Sequence, residues 1–245
     1  MKKFLLVSFL ISILLVSGFA GILDTIKQRG TLIIGTNATF PPFEFVNEKN
    51  QAVGFDIDLA KVIADALGVE LKVEDVQFDG LIPALQVGKF DMVIAGMTIT
   101  EERRKEVLFS DPYFDAGQVI VVRKGSPKIN SLEELNGKKV AVQTGTTGDI
   151  MATEAEGLKI TRFAHFTEAF LELNLRRVEA VVVDSSTADA YLGYSSALEI
   201  GSPVLSAESY GIAIKKGNEE LLEFVNGVLE DLHTSPYDKM IEQWF

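Results

Sequence analysis

The residues with the clearest chemical potential lie between Asp91 and Arg103, where the sequence is DMVIAGMTITEER. An apolar run ends in Gly-Met-Thr, and a charged segment then follows Thr100, with Arg103 as its third residue. This order predicts a buried strand, a turn of small residues and the start of a helix. Backbone N–H groups and a guanidinium would then lie side by side, an arrangement that favours binding of a small carboxylate.

A second apolar run of the sequence ends in an acidic residue. The segment at 177–184, RVEAVVVD, predicts a buried strand that ends in Asp184 and is followed by two serines and a threonine. Ligands of open α/β sheets bind at the carboxyl ends of the strands, so Asp184 is a candidate for contact with a positively charged group. The alternative is that Asp184 only caps a helix beginning near Ser185.

Strand and helix patterns alternate in both halves of the chain. In the first half the predicted strands are at 31–36, 69–73 and 91–95, with helices at 55–67 and 79–87. In the second half the strands are at 139–143 and 177–184, and a helix is predicted at 167–175. Such alternation predicts an α/β fold with mostly parallel sheets. The repetition favours two lobes over one large doubly wound domain.

Two β-rich segments should connect the lobes. They lie at 111–124 and 208–215, and each contains a glycine. Helices predicted at 219–232 and 237–245 would complete the first lobe. The predicted division is therefore 22–115 plus 209–245 for lobe 1 and 116–208 for lobe 2, with a hinge near 114–119 and 206–211.

The N-terminus has the pattern of a secretory signal peptide at 1–20. Lys2 and Lys3 precede an apolar stretch, and Gly18 and Ala20 offer a cleavage site. A membrane anchor is the alternative. Because the chain has no cysteine, it can carry neither a lipid-modified cysteine nor a disulfide. We therefore expect a periplasmic protein that is free of the membrane after cleavage.

Composition excludes several classes of function. A net charge of −12 argues against nucleic acid as a partner. The two histidines, His165 and His233, do not have the spacing of metal ligands, and the sequence contains no glycine-rich dinucleotide-binding fingerprint. We therefore expect neither a metal nor another cofactor.

Six motifs resemble one family. They are FPPFEF at 40–45, VGFDIDLA at 53–60, FDGLIPALQVGKFDMVIAGMTITEERRK at 78–105, FSDPYFDAG at 109–117, GTTGD at 145–149 and SPYDKMIEQWF at 235–245. In this order the chain resembles an extracytoplasmic, or periplasmic, solute-binding protein of a polar amino-acid ABC transporter, closest to arginine-binding and glutamine-binding members. The resemblance implies two lobes, each a mostly parallel sheet flanked by helices, joined by two hinge strands. It also implies a cleft that closes on an L-amino acid, delivery to permease subunits and a monomer.

The resemblance assigns residues to the two ends that all amino acids share. Arg103 would hold the α-carboxylate, because its planar fork can bind both oxygens, with help from backbone N–H groups at Thr98 and Thr147. Asp184 would pair with the α-ammonium group. The Gly96 carbonyl and the Thr98 hydroxyl would assist it.

Five further residues would surround the ligand's side chain. Phe40 and Phe78 match positions that sandwich its aliphatic or guanidinium part. Asn37, Glu44 and Gln143 are the candidates to contact its tip.

Lysine- and arginine-binding relatives often have an aspartate at the position of Asn37, which weakens the case for a purely cationic ligand, and glutamine binders share the FEF and DGLIPALQ stretches. Gln143 with the GTTGD motif, the segment at 110–124 and Glu44 more closely resemble arginine binders. The resemblance therefore favours arginine over glutamine, with lysine and histidine as further alternatives.

An enzyme on the same fold is the alternative of another class. Dehydratases related to these receptors act on a small carboxylate in the cleft with an acidic residue as general acid, and Glu44 or Glu208 could take that part. The sequence contains no nucleophile motif that would favour catalysis. We therefore predict a binding protein without catalytic residues.

Overall fold

The computed structural model describes residues 21–232 and 236–245. The predicted signal peptide at 1–20 and His233 lie outside the described residues. Within the two described ranges, no helix combines the length and the apolar character needed to cross a membrane.

Strands and helices alternate over most of the described chain. The strands are β1 (Thr31–Thr36), β2 (Thr39–Phe40), β3 (Glu44–Val46), β4 (Ala52–Val53), β5 (Glu70–Asp75), β6 (Met92–Val93), β7 (Val107–Phe109), β8 (Phe114–Ala116), β9 (Gln118–Arg123), β10 (Lys139–Gln143), β11 (Lys159–Phe163), β12 (Ala180–Asp184), β13 (Leu198–Ile200), β14 (Glu208–Tyr210) and β15 (Ala213–Lys215). The helices are α1 (Ile22–Arg29), α2 (Phe55–Leu67), α3 (Leu81–Gln86), α4 (Glu101–Glu106), α5 (Thr147–Glu154), α6 (Phe166–Asn174), α7 (Ser185–Gly193), α8 (Glu219–Leu232) and α9 (Pro236–Trp244). Single 3₁₀ turns occur at Phe78–Gly80 and Leu132–Leu135.

Two five-stranded sheets form the centres of two lobes. The first sheet has the order β5-β1-β6-β15-β7, and the second has the order β11-β10-β12-β9-β13. In each sheet the fourth strand runs antiparallel to both its neighbours, and the other four strands point the same way. The predicted two-lobe α/β fold with mostly parallel sheets is confirmed, although each sheet is mixed because of its one reversed strand.

The reversed strands follow the segments that connect the two sheets. β8 and β14 pair antiparallel to each other in a separate two-stranded sheet. The chain leaves the first sheet after β7, reaches the second through β8, and returns through β14 to β15. These are the two β-rich segments predicted to cross between the lobes. The lobe boundaries at 115/116 and 208/209 stay a prediction.

Some strands are shorter than their apolar patterns predict. β6 covers only Met92–Val93 of the strand predicted at 91–95, because the chain then bends towards the cleft between the lobes. β12 starts at Ala180 instead of 177, since Arg176 takes a positive φ of 60° and the Arg177 N–H is bonded to Glu172 at the end of α6. An apolar run specifies burial, but backbone pairing specifies where a strand begins.

Both faces of the sheets are covered, which explains their continuous apolar strands. In β12, Val181 and Val183 belong to one hydrophobic cluster, and Ala180 and Val182 belong to another. Side chains alternate between the faces of a strand, so a run of five buried residues requires packing on both sides. Helices supply that packing, and the polar ends of the strands are left at the sheet edge.

A glycine holds the FPPFEF segment against α2. The N–H groups of Phe55 and Asp56 donate to the carbonyls of Pro42 and Phe43 at 3.0 and 2.9 Å. Gly54 precedes them with a φ of 133°, and a Cβ there would lie 2.1 Å from the Phe43 carbonyl oxygen. Only a residue without a side chain permits this close approach.

We expect Gly54→Ala to lower the free energy of unfolding by on the order of 3 kcal/mol, because it combines backbone strain with a steric clash. Urea unfolding measures the loss. The control is Gly68→Ala, which also has a positive φ, of 72°, but has no heavy atom within 4 Å of the new methyl group. It should cost only about 1 kcal/mol. Equal losses in the two variants would contradict the proposed close packing.

Candidate functional site

A small, nearly closed cavity lies between the lobes. The structure brings all ten residues predicted for the site to its wall. The lining residues are Asn37, Phe40, Glu44, Phe78, Ala95, Gly96, Thr98, Arg103, Gln143, Thr146, Thr147, Phe166 and Asp184. No cluster of three or more acidic, histidine or cysteine side chains suited to a metal ion occurs in the part of the chain that the structure describes.

Arg103 is buried at the contact between the lobes. Thr100 caps α4 by accepting the Arg103 N–H at 3.2 Å, which sets the start of this short helix. The guanidinium donates to the Thr98 carbonyl at 2.6 Å and, across the cleft, to the Gly145 carbonyl at 3.0 Å. It also lies over the Phe78 ring, 5.3 Å from the ring centroid.

The charge of Arg103 has only carbonyl partners. Its exposed fraction is 9%, and among the described residues it forms no salt bridge with a carboxylate. Burial lowers the pKa of Arg103 to about 10, while the negative charges of Glu208 and Asp184 oppose that change. The side chain therefore remains cationic at neutral pH and can accept an anionic ligand group.

Asp184 occupies the corresponding place in the second lobe, at the end of β12. It is the N-cap residue of α7, yet its side chain makes no capping hydrogen bond. Instead, the Tyr210 hydroxyl donates to its Oδ1 at 2.5 Å. Burial raises the pKa of Asp184 to about 7, and the neighbouring charge of Glu208 adds to this effect. A cationic ligand group would favour its ionised form.

Glu208 bridges the two lobes, and the sequence analysis did not include it in the binding site. Its Oε2 accepts from the hydroxyls of Thr98 and Thr147 at 2.7 and 2.8 Å, and its Oε1 accepts from Ser206 at 2.8 Å. The Thr98 hydroxyl, expected to contact the ligand ammonium, is thus bonded to Glu208. Glu208 belongs to no local motif that would have indicated this role.

The residues predicted to contact the ligand's tip differ in how well their polar atoms are paired. Gln143 Nε2 donates across the cleft to Asn37 Oδ1 at 2.7 Å and also to the Ala164 carbonyl. Asn37 Nδ2 donates to the Val76 carbonyl at 2.9 Å. Glu44, by contrast, is 0% exposed, and neither of its oxygens meets a donor among the described residues. Burial, and then the charge of Asp56, raises the pKa of Glu44 well above its usual range.

The two aromatic residues predicted to sandwich the ligand's side chain also have partners within the protein. Phe40 stacks on Phe166 of the second lobe, with ring centroids 5.6 Å apart, whereas Phe78 carries the Arg103 guanidinium. Gly96 makes room for Phe40, since a Cβ there would lie 2.5 Å from the ring. Phe166 was missed because a phenylalanine at a helix start is usually a core residue.

Residues 32–245 match the family model of the bacterial extracellular solute-binding proteins, family 3. The chain belongs to this family. The family resemblance seen in the sequence is therefore confirmed, and so is the fold class that it implied.

Three relatives show the range of this family. The arginine-bound form of truncated ArgBP from T. maritima is 59% identical with a TM-score of 0.84, covering 85% of this chain and 99% of that one. The ancestral amino acid-binding protein AncCDT-1, a precursor of cyclohexadienyl dehydratase, is 46% identical with a TM-score of 0.87, covering 92% and 100%. The glutamine-binding protein GlnH of a Bacillus subtilis ABC transporter is 36% identical over 229 residues, covering 91% of this chain and 84% of its own.

The protonation of Asp184 should make stability depend on pH. The folded protein holds this proton up to a pH of about 7, whereas the unfolded chain releases it near the ordinary value of 3.8. The contribution of Asp184 to the free energy of unfolding therefore falls as pH rises from about 4 to 7. Asp184→Asn removes this loss, so relative to the wild type it should gain stability over that interval, by about 1.4 kcal/mol for each unit of pKa difference.

Urea unfolding at pH 4.5, 6 and 7.5 measures this gain. Asp65→Asn, at an exposed position of α2, serves as the control and should keep a constant difference from the wild type. If the difference between Asp184→Asn and the wild type were also constant, Asp184 would not be a buried acid that holds its proton.

Proposed function

We propose that this protein is an extracytoplasmic receptor that captures L-arginine between its lobes and delivers it to the permease subunits of an ABC transporter. The proposal rests above all on Glu44, a carboxyl group in the cavity wall whose two oxygens have no donor among the described residues. A guanidinium presents two parallel N–H groups to a carboxylate, and the ion pair would offset the burial of both charges.

Arg103 and Asp184 support the binding of an amino acid's other two charged groups. A ligand carboxylate would give the buried Arg103 guanidinium the anionic partner that it lacks among the described residues. An ammonium group would stabilise ionised Asp184, which burial alone disfavours. The two groups come from different lobes, so one zwitterion can bridge the cleft.

Such bridging explains capture by cleft closure. Contacts across the cleft already include the Arg103 bond to Gly145 and a Tyr191 hydroxyl that donates to the Thr39 carbonyl at 3.0 Å. A ligand that adds contacts to both lobes binds the closed arrangement better than an open one, and it therefore shifts the equilibrium towards closure.

Glutamine is the competing ligand. The paired amides of Asn37 and Gln143 could exchange hydrogen bonds with a carboxamide, and one relative is a glutamine-binding protein. We favour arginine because a guanidinium offers two parallel N–H groups and a positive charge, which can pair with both unpartnered oxygens of Glu44. The arginine-bound relative from T. maritima, at 59% identity, supports the same choice.

A receptor is also favoured over an enzyme. The matched family is described as solute-binding proteins, and this supports a receptor. Of the two carboxyls considered as a general acid, Glu208 is held by three hydroxyl groups, whereas Glu44 has the raised pKa that a general acid requires. Periplasmic location after cleavage at about residue 20 remains part of the proposal, and so do a monomeric state and the permease as partner. The family's description as extracellular solute-binding proteins supports the location.

Arg103→Ala should weaken arginine binding by several kcal/mol, about 2 to 5, because a buried carboxylate would lose its charged partner. Isothermal titration of protein freed of ligand by unfolding and refolding measures the change. The matched control is Arg104→Ala, which removes a neighbouring, more exposed guanidinium and should alter the dissociation constant little. Near-normal affinity in Arg103→Ala would refute the assigned carboxylate site.

Glu44→Gln should separate the two candidate ligands. It removes the counter-charge of a guanidinium but keeps the shape of the side chain, so arginine should bind at least about 100-fold more weakly, a loss near 3 kcal/mol. Glutamine binding should change much less, because a carboxamide can pair with another carboxamide. Wild-type protein that binds glutamine and ignores arginine would contradict the assignment of arginine.

A further inference from the structure

Glu44 lies against a second buried carboxyl group, that of Asp56 in the first turn of α2. Both residues are 0% exposed. Asp56 Oδ2 accepts from the Gly96 N–H at 2.7 Å and from the Tyr113 hydroxyl at 2.8 Å. Asp56 Oδ1 and both oxygens of Glu44 meet no N–H or O–H donor from the rest of the described chain.

A single proton satisfies this arrangement. The Asp56 N–H is bonded at 2.9 Å to the carbonyl of Phe43, the residue before Glu44, so the two buried carboxyl groups are neighbours, and each affects the pKa of the other. Two carboxyl groups cannot bond to each other unless one of them carries a proton. Two donors already stabilise negative charge on Asp56, and Glu44 has none. Burial without a donor therefore favours the proton on Glu44, and Asp56 Oδ1 is the unpaired oxygen of the neighbouring carboxyl group that could accept it. The other oxygen of Glu44 then remains as an acceptor in the cavity wall.

Among the described residues, no cation forms a salt bridge with either carboxyl group of the pair. Tyr113 faces both carboxyls, and Asp75 and Asp184 act on Glu44 from β5 and β12. On α2 itself, Asp58 bonds to Trp244 near the C-terminus, and Lys61 is exposed. Burial is the main cause of the raised pKa of both groups. It raises the pKa of Asp56 to about 6 and raises the pKa of Glu44, which has no donor, well above its usual range. Arg103 lines the same cavity but is bonded to carbonyls.

We propose that Glu44 and Asp56 share one proton before ligand binds, and that arginine expels this proton to solvent whereas glutamine leaves it in place. The preference for arginine over glutamine then rises with pH. This inference rests on the proposed function. Its chemical basis is that a guanidinium only donates hydrogen bonds and requires an ionised carboxylate, while a carboxamide N–H can donate to the carbonyl oxygen of a neutral carboxyl group.

Titration calorimetry with arginine, glutamine and citrulline between pH 5 and 8 tests the inference. Citrulline replaces the guanidinium with an uncharged group of nearly the same shape. Repeating each titration in buffers of different ionisation enthalpy counts the protons released. All three ligands carry the same ammonium group, so any proton lost from Asp184 cancels in the comparison.

Arginine should release about one proton more than glutamine or citrulline near pH 6.5, and the ratio of its association constant to that of glutamine should rise by up to about tenfold per pH unit. In Asp56→Asn, the amide oxygen can still accept from Gly96 and Tyr113, while the amide N–H₂ donates to ionised Glu44. The pH dependence of the ratio should therefore flatten in this variant. Asp65→Asn, exposed on the same helix, should behave as the wild type.

Equal proton release by arginine and glutamine in the wild type would overturn the inference while leaving the arginine receptor intact. A folded Asp56→Asn protein that kept the full pH dependence would overturn the role of Asp56. Failure of arginine to bind at any pH would instead overturn the proposed function together with the inference. The wild-type titrations remain decisive even if Asp56→Asn does not fold.

Discussion

Ionisable groups enclosed between the two lobes impose the main constraint on this protein. Burial of an unpaired charge costs free energy. Each such group must therefore pair with another group of the protein, be neutral, or pair with a bound ligand. Arg103 donates hydrogen bonds to carbonyl groups of both lobes, and Asp184 accepts one from the Tyr210 hydroxyl. Glu44 and Asp56 have too few donors for two negative charges. A charged ligand would complete this pairing, which is the basis of the proposed function.

The two sheets supply these groups in equivalent ways. In each lobe the polar residues follow buried strands, so the parallel strand ends bring them to one edge. Arg103 comes after β6 in the first lobe, and Asp184 ends β12 in the second. Opposite charges thus face each other across the contact between two similar scaffolds. In the proposed mechanism, closure of the lobes would bring these groups together and remove water from both.

The strands that cross between the lobes also take part in the site. β14 carries both Glu208 and Tyr210, which bond to Thr98, Thr147 and Asp184. The same short strand pairs with β8 in the connection between the sheets. A change in the angle between the lobes would therefore alter the partners of the binding residues directly. In the proposed mechanism, these shared side chains would couple ligand binding to lobe closure directly.

Local patterns in the sequence were sufficient to predict the α/β alternation and the two crossing segments, and the motifs shared with the family added ten of the thirteen residues of the cavity wall. Each of these depends on burial periodicity, or on motifs that stay close together in the chain. The partners of those residues were not predictable in the same way. Phe166, Glu208 and Tyr210 reach the site from distant segments, and no local pattern marks such contacts.

The charge state of the site was likewise decided only by tertiary structure. The sequence by itself determined that acidic and basic side chains would follow buried strands. Whether Glu44 carries a charge depends on its complete burial and on Asp56, which the Gly54 turn holds beside it. Desolvation and neighbouring charges set a pKa, and both exist only once the chain is packed.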